Sequence, residues 1–213
     1  MNVNQSDTAT RKQTISQVLL IIGLSLLLLG CGEKVLTPIG TDGRILAFSD
    51  SLTDGVGAAP QESYPSVLSE LTGLTVINAG VSGETTGEGL LRLPKVLETS
   101  RADLLILIEG GNDILRNIPA PKIQSNLDAM IQLAKSQGIP VVPIGIPEKR
   151  LFASAAPFYQ SVADAHNVVY DGKLMPKLLH TPGLKSDPIH LNAKGYRKMA
   201  EGVYTLLADN GAL

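Results

Sequence analysis

The sequence predicts an α/β domain over residues 44–213, with a parallel sheet sandwiched between layers of helices. Three observations carry this. Short apolar runs alternate with longer stretches whose apolar residues fall on a helical period, the βαβα rhythm of a parallel sheet. The run Leu104–Glu109 is the most continuous of them, as suits a central strand buried on both faces. With 44% apolar residues in 213, the chain can bury one proper core, and no repeat or low-complexity block interrupts it.

In order, Arg44–Phe48 reads as the first strand. Tyr64–Thr72 reads as a helix carrying Val67, Leu68 and Leu71 and stopped by Gly73. Leu74–Asn78 is the second strand. Thr86–Leu97 is helical, with Leu90, Leu91 and Leu93 on a helical period and Pro94 expected to bend or restart it. After the central strand, Pro121–Gln137 is an amphipathic helix with Ile123, Leu127, Met130, Ile131 and Ala134 on one side. Pro140–Ile146 is a fourth strand, which its prolines, unable to donate to a ladder, place near a sheet boundary or trim at its ends. Phe158–His166 is helical, Val168–Tyr170 is a short fifth strand, and Asn192–Asn210 is a terminal helix capped by Asn192 with Tyr196, Met199, Val203 and Leu206 inward.

Residues before 44 stand outside this fold. Arg11 and Lys12 precede an apolar run, Val18 to Leu29, that is too short to cross about 30 Å of hydrocarbon comfortably, which leaves an uncleaved anchor helix as the weaker alternative. The ending Leu28-Leu29-Gly30-Cys31 resembles a bacterial lipobox. That resemblance implies a signal peptide over 1–30, a lipidated Cys31 as mature N-terminus, and a tether over 31–43 with the membrane as partner. Gly32, in place of an aspartate, implies sorting to the outer membrane, facing the periplasm or the cell surface.

Composition excludes several function classes. Net charge is −2 with scattered Lys and Arg, so no electrostatic footprint for nucleic acid exists. The absence of Trp argues against stacking platforms for bases or sugars. A single cysteine allows no internal disulfide and no thiolate cluster, and three histidines leave little material for zinc. No metal or organic cofactor is expected.

In parallel sheets the ligand site lies outside the carboxyl ends of the strands. Four loops there carry polar groups: Ser49-Asp50-Ser51, Ala79 to Thr85, Gly110-Gly111-Asn112-Asp113, and Asp187-Pro188-Ile189-His190. Their chemistry is acyl transfer. Ser51 is a weak nucleophile unless a base takes its proton, and His190 is a candidate base in the useful pH range. Asp187 could accept Nδ1–H and stabilise the imidazolium. The backbone N–H groups of Ser51 and of a glycine in the second loop, with the Asn112 amide, could donate to an oxyanion.

These blocks resemble the SGNH/GDSL serine hydrolases, and within them the acyl-CoA thioesterase I/lysophospholipase L1/arylesterase group. The resemblance rests on Phe48–Thr53, Asn78–Thr86, Glu109–Asp113 and Asp187–Tyr196, in the family's order across nearly the whole chain after residue 43. It implies Ser51 as nucleophile, His190 as base, Asp187 as the residue orienting it, and Gly83 and Asn112 completing the oxyanion hole with Ser51. It also implies a three-layer flavodoxin-like sandwich of about five parallel strands. The implied substrate is a small ester, thioester or lysolipid. The apolar residues Ile114, Leu115, Ile118, Leu151, Phe152 and Phe158 are expected to form an acyl-chain pocket. A carbohydrate O-deacetylase would use the same machinery on a sugar acetate, and a lipid-anchored binding protein would have lost the serine's activity.

One position departs from the family's pattern. Ser49 stands where the first block has glycine, and a left-handed backbone there would cost on the order of 1 kcal/mol. Asp50 is expected to hold the Ser51 loop, and Asp54 and Asp113 to be solvated or loop-fixing carboxylates. Ser82 lies in a Gly-x-Ser-x sequence that lacks the final glycine of the other hydrolase motif, so it ranks below Ser51.

Overall fold

The computed structural model describes residues 35–149 and 154–213; the expected signal peptide over 1–30, Cys31, Leu151 and Phe152 lie outside them. Four strands form one all-parallel sheet: β1 (Arg44–Ser49), β2 (Thr75–Gly80), β3 (Leu104–Ile108) and β4 (Val141–Pro143), in the order β2-β1-β3-β4. Every residue of β3 is buried, as the apolar run requires, while β2 at the edge is partly exposed. The register sets Ser49 opposite Gly80 on one side and Ile108 on the other, so three strands end together.

Around the sheet lie α1 (Ser51–Asp54), α2 (Tyr64–Thr72), α3 (Thr86–Ser100), α4 (Gly111–Leu115), α5 (Ala120–Ser136), α6 (Pro157–His166), α7 (Leu174–His180) and α8 (Ala193–Asp209). They pack in two groups, α2 on α8 and α7 on α8, then α3 on α5 and α5 on α6. Asn192 caps α8 by accepting from the Gly195 amide, and Tyr196, Met199 and Val203 are buried below it.

Three differences from the sequence reading have physical causes. The fifth strand is reduced to a single parallel bridge, Ile144 to Asp171; Pro143 has no N–H to give a ladder, and β4 stops there. Helix α3 runs through Pro94 to Ser100 without ending. Its buried face is Gly89, Leu93 and Leu97 at four-residue steps, which leaves Leu91 in solvent. The loops containing Ser51 and Asn112 are short helices, α1 and α4, begun at Ser51 and Gly111.

Among the described residues no helix is long and apolar enough to cross a membrane.

Candidate active site

β1 ends at Ser49, and the next residue caps α1. The Asp50 carboxylate accepts the Leu52 N–H (3.0 Å), which fixes the turn that presents Ser51 as the first helical residue. Helix α1 lies so close to the end of β2 that a side chain on Gly80 would collide with the Asp54 backbone. The tight turn therefore depends on a glycine in the neighbouring strand.

Across the sheet edge, the segment before α8 supplies the partners of Ser51. Asp187 is acceptor-only, so it takes the Nδ1–H of His190 (2.7 Å) and leaves Nε2 facing the Ser51 hydroxyl at 3.0 Å. The other Asp187 oxygen accepts the N–H groups of Ile189 and His190 (2.9 and 2.8 Å), locking the carboxylate to its own loop. Partial desolvation pushes the Asp187 carboxyl up. The His190 ring bond and the two amides outweigh this, and the net position is below the ordinary carboxylate range. The arrangement can move a proton from Ser51 to His190 and stabilise the charge that results.

The second and third loops meet beside Ser51. Gly83 has a left-handed backbone (φ 84°), and its carbonyl accepts from Arg116 (2.9 Å). The Asn112 amide donates to the Asp50 carboxylate and to the Glu84 carbonyl, both at 2.9 Å. To donate to an oxyanion it must share or exchange one of these bonds. Among the described residues, the Ser51 and Gly83 N–H groups have no hydrogen-bond acceptor of their own.

Asp50 is almost wholly buried, and burial pushes its carboxyl up to about 6, against the opposing Leu52 N–H, the Ser49 hydroxyl and the charge of His190. Ser49 is not among the described residues with positive φ, so no backbone penalty applies there. Its hydroxyl, fully buried, donates to the Ile108 carbonyl and lies 3.4 Å from Asp50 Oδ1. Asp113 accepts from both the N–H and the hydroxyl of Thr86 (2.8 and 2.6 Å), joining α4 to α3.

A cavity of about 340 Å³ opens beside Ser51 and His190. Ile114, Leu115, Ile146, Leu179 and Ile189 give it apolar walls, with Lys149, His180 and Lys185 among its polar lining. Of the residues expected to line it, Ile118, beyond the end of α4, and Phe158, at the start of α6, instead line a separate cavity. Among the described residues no three His, Cys, Asp or Glu side chains are grouped to hold a metal ion.

Two buried carboxylates escaped the sequence reading. Glu84 pairs with Arg92 through two bonds (2.7 and 2.5 Å), and Arg92 lies 4.0 Å over the Phe48 ring. Glu109 ends the central apolar run and is fully buried. A charged residue placed between a buried strand and Gly110-Gly111 was the available signal.

Known proteins are similar to this chain in sequence and in fold. Residues 48–198 match the GDSL-like Lipase/Acylhydrolase family. An arylesterase of Vibrio mimicus is 41% identical over 108 residues, 48% of this chain and 54% of that protein. The chain spans about half the length of the curated relatives it matches. The crystal structure of TesA superposes with a TM-score of 0.72 at 25% identity, covering 78% of this chain and 98% of that one. AlinE4, an SGNH-hydrolase family esterase, gives 0.63 at 28% identity over 80% of this chain and 97% of its own.

Proposed function

The chain belongs to the GDSL-like lipase/acylhydrolase family, and on that footing we propose that it is a serine hydrolase cleaving carboxylic esters or thioesters through an acyl-enzyme. The observation that carries the reading is the unbroken line of hydrogen bonds from Asp187 through His190 to Ser51. Ser51 Oγ attacks the carbonyl carbon as His190 Nε2 takes its proton, and Asp187 stabilises the imidazolium. The oxyanion forms where the free Ser51 and Gly83 N–H groups and the Asn112 amide can reach it. Imidazolium then protonates the leaving alcohol or thiol, and water, deprotonated by His190, releases the acid.

The apolar walls beside Ser51 suit a small acyl chain better than a sugar ring. This favours the esterase reading over a carbohydrate O-deacetylase. A fluorophosphonate probe tests the assignment directly: it should add covalently to Ser51. Failure to label a folded protein would leave a non-catalytic binding protein as the reading.

We also propose that Cys31 carries a lipid anchor, with residues 1–30 removed and 31–43 as a tether that docks where the Leu36 and Ile39 N–H groups donate to the Asn210 and Ala212 carbonyls, and that the product is an outer-membrane lipoprotein. The support is the Leu28–Cys31 sequence alone. Metabolic palmitate labelling, lost in Cys31→Ser, is the expected result; equal labelling of both would end the proposal.

A further inference from the structure

We propose that Glu109 sits in the folded protein as the neutral acid, donates its proton to the Glu84 carboxylate, and by that bond ties the end of β3 to the loop carrying Gly83. Its role is that of a positioning residue for the oxyanion donors, and this rests on the hydrolase reading above.

Glu109 has no solvent exposure, and neither of its carboxyl oxygens has a hydrogen-bond donor. As a carboxylate it would be a buried charge without compensation, which protein interiors do not tolerate. The groups around it offer no relief. Asp50 at the end of β1, Glu84 after β2 and Asp113 on α4 are all acids. Arg92 on α3 donates to Glu84 and to the Ala79 carbonyl. The Tyr159 hydroxyl of α6 donates to the main-chain oxygen of Glu109, at 2.7 Å, and not to its carboxyl group. Burial, then the charges of Asp50 and Glu84, hold the Glu109 carboxyl well above the usual range.

As the acid, Glu109 becomes a donor, and Glu84 is the acceptor within reach. Gly89 on α3 marks the place. A methyl group there would lie 3.2 Å from Glu109 Oε1 and 3.3 Å from Glu84 Oε2, so the two carboxyl groups border one small space that the glycine leaves open. The Glu84 carboxylate is paired with Arg92 and keeps a lone pair for the proton.

The bond connects the two loops that hold the oxyanion donors. Glu84 follows Gly83, and its carbonyl already accepts from Asn112. Glu109 precedes Gly110 and Gly111, which open the helix bearing Asn112. Ionisation of Glu109 would set it against three acids at once and push these loops apart. The transition state would suffer and substrate binding would not, so kcat falls while KM holds.

The experiment compares wild type with Glu109→Gln, which keeps the shape and an N–H donor toward Glu84 but cannot ionise. Wild-type kcat for p-nitrophenyl butyrate should fall at least about fivefold between about pH 7 and about pH 10 with KM within about twofold, whereas Glu109→Gln stays flat. In urea, the midpoint of Glu109→Gln should exceed that of wild type by a margin that widens as pH rises. An alkaline limb shared by both proteins, or a margin constant with pH, overturns the proposal. So does a Glu109→Gln chain that does not fold, since the amide reproduces the neutral acid. If neither protein turns over an ester at any pH, the hydrolase reading and the positioning role fall together. The urea margin then decides the carboxyl pair by itself.

Discussion

The Ser49 hydroxyl donates to the Ile108 carbonyl across the boundary between β1 and β3, one residue before the cap of the helix that presents Ser51. A side chain in a place where the family has glycine thus forms a cross-strand bond at the root of the site. Ser49→Gly should lower unfolding free energy by about 1–2 kcal/mol, from the lost bond and the freer unfolded chain. Ester turnover should stay within about threefold, because no group that meets substrate is removed. Urea unfolding and steady-state kinetics on one preparation check both halves.

Removing either end of the proton relay should abolish most turnover. Ser51→Ala and His190→Ala should each lower kcat by about three powers of ten or more, with unchanged circular dichroism. Asp187→Asn should cost about a hundredfold or more, since an amide in place of the acceptor misorients the ring. A loss under about tenfold in both Ser51→Ala and His190→Ala would refute the assignment.

Asp50 makes the protein less stable as pH rises through the mildly acidic range. Its carboxyl moves from 3.8 to about 6 on folding. The folded state therefore holds the proton over that window, so the contribution is full below the lower value and lost as pH approaches the upper one. The loss amounts to about 3 kcal/mol at most. Asp50→Asn cannot titrate, so its stability relative to wild type should rise between about pH 4 and about pH 6 and level off above. Asp187 acts in the opposite sense: its lowered carboxyl contributes stability above its unfolded value that is lost as pH falls. Urea midpoints of wild type, Asp50→Asn and Asp187→Asn across that range separate the two.

The cavity should set acyl length. Leu179 forms part of its apolar wall, and Leu179→Trp adds bulk there. Activity on p-nitrophenyl decanoate should fall by more than about tenfold relative to the acetate, which needs only the space beside Ser51. An unchanged ratio would mean that acyl chains lie elsewhere.

Much of the architecture was legible because it is local. Apolar periodicity specifies Tyr64–Thr72 to the residue, and the run through Leu104–Ile108 reports a strand enclosed on both sides. The fifth strand was not legible, since Val168–Tyr170 looks like a strand and only the prolines of its neighbour decide whether it can pair. The Leu91 side chain was misplaced for a similar reason: adjacent leucines share a helix but cannot share its buried face.

The sequence by itself determined the fold class, the order of the four loops, and the candidate residues Ser51, Gly83, Asn112, Asp187 and His190. It could do so because residue type and position after a strand are properties of a short stretch of chain. Only the tertiary structure decided that Ser49 bonds Ile108, that the Asn112 amide is already shared between Asp50 and Glu84, and that Glu109 faces Glu84 without a donor. Each of these joins residues far apart in sequence. The charge state of a buried carboxyl depends on the dielectric and the neighbours that folding brings to it, and no local pattern records either.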